Sequence, residues 1–280
     1  MTAVDHAALE RTADPRTALA SNGFVFPFDA LSADESATFR DRFAKYDAEM
    51  SARGGIWSSF RHFPKVHLLA EWADDLIRHP SILSAVEELL GPDLLVWSTN
   101  VFTRPPHSDA TLAWHQDALH YRLRGFESGA VRVWLALTET TIANGTMRFA
   151  RGTHREGIVA HKTDADPAAI RESGLEVDIE VDESKAVPVL LDAGQFSIHH
   201  LAVAHCSGSN RTGAGRVNFA IDYLCPSVQP IGGPDTAMLV RGTDARRHFT
   251  LEQRRPFGSP EAENQFKQSV ALRMRRFTSS

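Results

Sequence analysis

A histidine and an aspartate lie two residues apart in the segment WHQDALHYRL, residues 114–123. In an extended strand, residues two apart point to the same side, so His115 and Asp117 can converge on one metal ion while Gln116 points away. Imidazole and carboxylate groups are both common metal ligands. The segment therefore predicts part of a metal site, which a third ligand from a distant part of the chain would complete.

The same spacing also occurs in the pairs His107/Asp109 and His154/Glu156. With 13 His and 35 acidic residues in 280, one or two such pairs are expected by chance. These two pairs follow turn signals, and pairs in loops are usually solvated. His115 instead ends the apolar approach LAW, so we take the pair in WHQD as the candidate ligands.

The segment FSIHHLAVAHCSGSNRTGAGR, residues 196–216, offers three histidines for the third position, namely His199, His200 and His205. Two imidazoles and one carboxylate on one face of an octahedral ion leave three open positions. This facial triad is typical of non-haem Fe(II) oxygenases. Zinc enzymes use the same ligand types, so a metal-dependent hydrolase or isomerase is an alternative. A second alternative is a binding or sensing protein without catalytic activity.

An arginine begins the strand-like segment RVNFAIDYL, residues 216–224, and period-two alternation puts Arg216 and Asp222 on the same face. An arginine on the inner face of a β-barrel is costly unless a carboxylate meets it. A bound dicarboxylate would supply that partner through a bidentate pair. The spacing leaves one alternative open, in which Arg216 pairs with Asp222 or Glu139 and has only a structural role.

The composition of the whole chain narrows its class. A net charge of −5 without a basic cluster argues against nucleic acid as a partner. Only Cys206 and Cys225 are present, so no disulfide framework is expected. The first residues contain no apolar leader, and no run approaches the ~18 apolar residues of a membrane span. We expect a cytoplasmic protein, away from membranes, as a monomer or a homodimer.

The first 90 residues predict helices. Ser32 and Glu35 have capping-box spacing ahead of an apolar stripe that begins at Phe39. Two more helices are expected, one around residues 69–76 and one through SILSAVEELL, with Gly91 as its stop signal.

After Gly91 the segments are short, rich in β-branched and aromatic residues, and separated by turn signals. They predict a mainly β fold with flanking helices, as an antiparallel sandwich or barrel. We expect one domain over residues 1–280. It would comprise a mostly helical part (1–90), a β core (95–225) and a C-terminal extension (226–280).

Together these features resemble the phytanoyl-CoA dioxygenase family of Fe(II)- and 2-oxoglutarate-dependent oxygenases. The resemblance rests on WHQD, VWLALTETTIANGTMRFARGTH and HHLAVAHCSGSNRTGAGR, in that order, and covers about residues 95 to 225. It implies a double-stranded β-helix (a cupin-like jelly-roll) with helices outside. It also implies oxidation of a substrate C–H bond with release of succinate and CO₂, by hydroxylation or else by desaturation or cyclisation. The chain departs from the family pattern at Cys206, where glycine is usual, and at Ala150-Arg151, where a proline turn is usual.

The resemblance also implies roles for individual residues. His115, Asp117 and His205 match the iron ligands, and O₂ takes an open position on the iron. Arg216 matches the residue that binds the distal carboxylate of 2-oxoglutarate. The expected lining of the cosubstrate pocket is Ser207, Trp134, Asn100 and, as a further candidate, Gln116. Halogenating members have a small residue in place of the carboxylate, so Asp117 argues against chlorination.

For the substrate, the segment GGIWSSFRHFPK, residues 54–65, and the residues just past the ligand pair are the candidates. The residues expected to contact substrate are Trp57, Arg61, His120, Tyr121 and His200, the last matching a family histidine near the site that is not a ligand. Ordinary core aromatics and surface cations are the alternative for each. No basic patch suited to coenzyme A is evident, so we expect a small secondary metabolite.

Overall fold

Two antiparallel β-sheets face each other at the centre of the fold, in a computed structural model that describes residues 14–162 and 176–278. The strands are, in chain order, β1 (Phe24–Asp29), β2 (Leu94–Arg104), β3 (Leu112–His115), β4 (Leu123–Arg124), β5 (Ala130–Ala136), β6 (Met147–Phe149), β7 (His161–Lys162), β8 (Glu176–Val177), β9 (Val187–Pro188), β10 (Gln195–His199), β11 (His205–Ser207), β12 (Arg216–Leu224), β13 (Gln229–Pro230), β14 (Thr236–Arg241) and β15 (Thr250–Leu251). The larger sheet has the order β1-β10-β5-β12-β2-β14-β15, with β15 parallel to β14, and the smaller one has the order β3-β11-β6-β9. This is the jelly-roll core that the sequence predicted.

The helices lie mainly before the β core and at its end. They are α1 (Pro15–Asn22), α2 (Ala33–Arg53), α3 (Gly55–Phe60), α4 (Glu71–Ile77), α5 (Pro80–Leu90), α6 (Ala118–Tyr121), α7 (Phe126–Gly129) and α8 (Pro260–Thr278). The capping box predicted for α2 is present, since Ser32 Oγ accepts from the Glu35 amide at 3.2 Å and Glu35 accepts from the Ser32 amide at 2.8 Å. In the described residues, no helix is long and apolar enough to cross a membrane.

Period-two alternation gives the large sheet two different faces. On its outer face, Phe219 of β12 packs against Trp72 of α4 with ring centroids 5.0 Å apart, within the main apolar core. On its inner face, Arg216 lies opposite Arg104 of β2, and Asp222 lies opposite Arg132 of β5. The helices thus cover the apolar side of the sheet, while the polar side faces the smaller sheet.

The C-terminal extension, which the sequence left unplaced, adds strands β13, β14 and β15 and the long helix α8. Two arginines of α8 are buried rather than solvated. Arg273 lies 3.7 Å from the ring centroid of Trp97 and donates to Ser98 Oγ at 2.8 Å. Arg276 pairs with Asp235 and donates to the carbonyl of Tyr121. The extension therefore braces the barrel next to α6.

Candidate active site

Three side chains meet inside the barrel, two from paired strands and one from the turn that follows β3. His115 ends β3, Asp117 lies two residues later at the start of α6, and His205 begins β11 in register with His115. Their ligand atoms lie within 4.8 Å of one another, and all three residues are buried. The pairs His107/Asp109 and His154/Glu156 join no such group of three within the described residues.

Backbone carbonyls fix the orientation of both imidazoles. His115 Nδ1 lies 2.8 Å from the carbonyl of Ala113, and His205 Nδ1 lies 3.0 Å from that of Val203. Each Nδ1–H therefore donates to the backbone, which leaves Nε2 free to bind a cation. Burial lowers the pKa of His115 to about 3 and that of His205 to about 4, so both rings are neutral at physiological pH.

The two oxygen atoms of the Asp117 carboxylate have different surroundings. Oδ1 accepts from Arg132 Nη1 at 3.0 Å, whereas Oδ2 is buried without a hydrogen-bond partner in the described structure and lies 3.8 Å from His205 Nε2. Burial alone would raise the pKa of Asp117, but the Arg132 guanidinium beside it holds that pKa well below its usual range. A buried anionic oxygen beside two imidazole nitrogens fits a divalent cation.

Two buried arginines lie next to each other deeper in the barrel. Arg216 is 1% exposed and donates to the carbonyl of Gly145. Arg104, directly opposite it on β2, donates to Ser207 Oγ at 3.1 Å. Two buried arginines at facing positions on the inner side of the sheet suit an anionic ligand.

The loops that position these arginines contain the turn Asn144-Gly145 and the stretch Ser207-Gly208-Ser209-Asn210. Gly145 has φ +75°, and a Cβ added there would lie 2.2 Å from the carbonyl oxygen of Gly208, so the two turns pack this closely only with glycine at position 145. Asn210 donates to the carbonyls of Arg104 at 3.1 Å and of Ala214 at 2.8 Å. These residues shape the pocket without facing it.

Other polar groups on the inner face are buried without partners among the described residues. Trp134 Nε1 and both amide atoms of Asn218 make no hydrogen bond. Asn100 is 4% exposed and accepts from Ser98 Oγ at 3.3 Å. Unpaired buried polar groups are costly, and a polar ligand in the barrel would satisfy them.

Gln116 corrects the expectation that it lines the cosubstrate pocket. Its Nε2 donates to the carbonyls of Ala202 at 2.6 Å and Gly157 at 2.9 Å, and its Oε1 accepts from the Val159 amide at 2.9 Å. Gln116 lies just past the end of β3, and its side chain ties three backbone segments together.

Two of the substrate candidates belong to the helical layer instead. Trp57 stacks on Phe266 of α8 with centroids 6.1 Å apart. Arg61 pairs with Asp47 of α2 at 2.7 Å. Among the contacts of the described residues, neither reaches the three ligands, and a contact with the substrate stays a prediction for both. An apolar stripe buried between helices explains these aromatic residues.

Tyr121 and His200 also have structural partners. The Tyr121 hydroxyl lies 3.2 Å from Asp222 Oδ2 and contacts Arg132. His200 Nε2 donates to the carbonyl of Glu127 at 2.9 Å. The strand phase instead turns His199 inward, where its Nε2 lies 3.6 Å from Asp117 Oδ2.

His120 stays a substrate prediction, since its Nε2 is buried without a partner in the described part of the chain. The sequence does not single out Arg104, Arg132 or Asn218, and it leaves His199 as one of three candidates for the third ligand. A usable signal was present for Arg132, because alternation in VRVWLA puts it on the same face as Trp134.

Comparisons with known proteins agree with this geometry. The sequence model of the phytanoyl-CoA dioxygenase family matches residues 19–218. A probable alpha-ketoglutarate-dependent hypophosphite dioxygenase of Stutzerimonas stutzeri is 26% identical over 178 residues, which cover 62% of this chain and 60% of that protein. This chain thus spans less than two thirds of that relative's length. A probable phytanoyl-CoA dioxygenase of Caenorhabditis elegans is 23% identical over 79% of both proteins.

Solved structures extend the comparison over nearly the whole fold. The apo structure of ThoJ, described as a non-heme monooxygenase, is 48% identical with a TM-score of 0.88 and covers 95% of this chain and 98% of its own. The epimerase SnoN, in complex with Fe³⁺ and alpha-ketoglutarate, is 23% identical with a TM-score of 0.60, covering 81% of this chain and 87% of its own. At that identity the likeness to SnoN concerns the fold alone.

Proposed function

Since this chain belongs to the phytanoyl-CoA dioxygenase family of iron- and 2-oxoglutarate-dependent oxygenases, we propose that it hydroxylates a C–H bond of a small-molecule substrate. The observation that carries the proposal is the buried group of His115, Asp117 and His205, with Asp117 Oδ2 left for a cation. Membership of an oxygenase family also argues against the alternative of a metal-dependent hydrolase or isomerase that uses no 2-oxoglutarate.

In this proposal Nε2 of His115, Nε2 of His205 and Oδ2 of Asp117 would hold Fe(II). Iron with 2-oxoglutarate and O₂ supplies the oxidising chemistry and releases succinate and CO₂. The chain itself keeps both imidazoles neutral and oriented, holds the carboxylate ionised beside Arg132, and buries all three ligands away from bulk water. Exclusion of water protects reactive species and strengthens the electrostatic interactions of the site.

We assign the distal carboxylate of 2-oxoglutarate to Arg216, with Arg104 and Ser207 beside it. Arg216 begins β12 inside the barrel, at the opposite end of its inner face from Asp222. An arginine fork matches a carboxylate in a bidentate pair. Trp134 and Asn100 line the same inner face and are proposed to contact the cosubstrate.

Hydroxylation is the favoured outcome because ThoJ, at 48% identity over nearly the whole chain, is described as a monooxygenase. The acidic net charge and the enclosed barrel both favour a small molecule over a polyanionic partner. We place the reaction in secondary metabolism. A cytoplasmic location and the choice between monomer and homodimer stay predictions.

This proposal is tested by measuring turnover and iron binding in alanine variants of the proposed ligands and of control carboxylates. Purified protein with Fe(II), ascorbate and 2-oxoglutarate should form succinate, slowly alone and faster with its true substrate, which is hydroxylated in the reaction. Asp117→Ala and His205→Ala should abolish succinate formation and weaken iron binding, because each removes a ligand. Asp109→Ala and Glu156→Ala remove exposed carboxylates with the same His-x-acid spacing and should leave iron stoichiometry unchanged. Iron loss in either control, with Asp117→Ala still loaded, would overturn the ligand assignment.

A further inference from the structure

The carboxylate proposed to bind iron is held from the facing sheet by one arginine. Arg132 lies on β5, is 4% exposed, and its Nη1 donates to Asp117 Oδ1 at 3.0 Å. No sequence motif identified above includes this contact, since it joins the loop after β3 to the middle of the large sheet.

Arg132 is itself fixed by a second carboxylate. Its Nε donates to Asp222 Oδ1 at 2.7 Å and its Nη2 lies 3.1 Å from Asp222 Oδ2. Asp222 is 1% exposed and is the cross-strand neighbour of Arg132 on β12. The Tyr121 hydroxyl contacts both groups. The guanidinium plane therefore has little freedom to turn, and its remaining edge points at Asp117.

This arrangement determines which oxygen of Asp117 is available. With Oδ1 taken by Arg132, Oδ2 is the oxygen that has no hydrogen-bond partner in the described structure and lies 3.8 Å from His205 Nε2. A carboxylate free to turn could bind iron through both oxygens and so occupy a position that the cosubstrate or O₂ needs. We propose that Arg132, locked by Asp222, is a positioning residue that restricts Asp117 to one ligand oxygen. The inference rests on the proposed function, because it takes Asp117 as an iron ligand.

A purely structural role makes a different prediction. A buried ion-pair network that serves only the fold would, when broken, lower thermal stability and leave the metal centre of the folded protein unchanged. A positioning role would alter the affinity and the ligand field of the bound metal. Metal binding to folded protein separates the two.

The experiment uses two variants. Arg132→Lys keeps the positive charge but loses the planar guanidinium that donates to both carboxylates. Asp222→Asn keeps the size of the side chain but removes the negative charge that holds the guanidinium in place. Anaerobic titrations with Fe(II), and with Co(II) as a spectroscopic probe, give the dissociation constants and the Co(II) absorption spectrum. We expect both variants to bind metal about 10- to 100-fold more weakly, the usual cost of losing a group that orients a ligand, with a shifted Co(II) spectrum.

Glu252→Gln is the matched control, because it breaks the buried pair of Glu252 with Lys65, 2.6 Å apart, and neither residue contacts a proposed ligand among the described contacts. It should lower the melting temperature without changing the metal affinity or the spectrum. Wild-type affinity and spectrum in Asp222→Asn and in any folded Arg132→Lys would overturn the inference. If the unmodified protein bound Co(II) no better than His205→Ala, the proposed function itself would fail, which is a separate outcome.

Discussion

Replacing Arg216 by alanine tests the cosubstrate pocket. The change removes a guanidinium that is 1% exposed and donates to the Gly145 carbonyl. Loss of a buried charge partner typically costs ~2–5 kcal/mol of binding free energy. Because Arg104 stays directly opposite, the lower part of that range applies. About 2–3 kcal/mol corresponds to roughly 30- to 150-fold weaker binding of 2-oxoglutarate.

The assay is an anaerobic titration of the Fe(II) protein with 2-oxoglutarate and, as the matched ligand, with pyruvate. Pyruvate lacks the distal carboxylate, so it should bind the unmodified protein and Arg216→Ala almost equally. Arg216→Lys should recover part of the loss, since a point charge cannot reproduce the two-pronged fork. Iron affinity should not change. Normal 2-oxoglutarate affinity in a folded Arg216→Ala protein would refute the assignment and make Arg216 a support for the Gly145 turn alone.

Three further outcomes follow from other contacts. Asp117 occupies the position that a halide would need, so mass spectrometry should find no chlorinated product even at high chloride. Burial by itself would raise the pKa of the Glu252 carboxyl. The neighbouring Lys65 and His67 outweigh burial and lower that pKa from 4.5 to about 2. Its contribution to stability is therefore full above pH 4.5 and is lost as the pH falls toward 2. The difference in melting temperature between the unmodified protein and Glu252→Gln should be constant from pH 7 to 5 and shrink below pH 4.5. Asn210→Ala removes donors to three carbonyls and should destabilise the fold by about 1–3 kcal/mol in urea unfolding, with the iron affinity preserved.

Much of the site could be predicted because local spacing decides it. The two-residue spacing keeps His115 and Asp117 close, although β3 ends at His115 and Asp117 already has the helical backbone conformation that precedes α6. Period-two alternation does put Arg216 on the inner face of β12. The phase of β10 was also readable, since Phe196 and Ile198 pack in the apolar core and turn His199 the other way. The resemblance points to His200 near the site, whereas the phase of the strand points to His199.

The rest depends on which distant strands pair and in which register. Arg132 meets Asp222 because β5 lies beside β12, and 90 residues separate them along the chain. Strand β1 was missed because it is short, contains Pro27 and pairs with β10 far along the sequence. Helix α8 was not foreseen because an arginine-rich segment is usually solvated, whereas here Arg273 packs over Trp97.

The most direct test of the central claim is the visible absorption of the anaerobic Fe(II) protein on addition of 2-oxoglutarate. A keto acid that chelates iron held by His115, Asp117 and His205 should give a metal-to-ligand charge-transfer band that saturates at one cosubstrate per iron. The band should be lost in His205→Ala and retained in the Asp109→Ala control. An unmodified protein that binds iron but shows no band, or a band that survives in His205→Ala, would contradict the account.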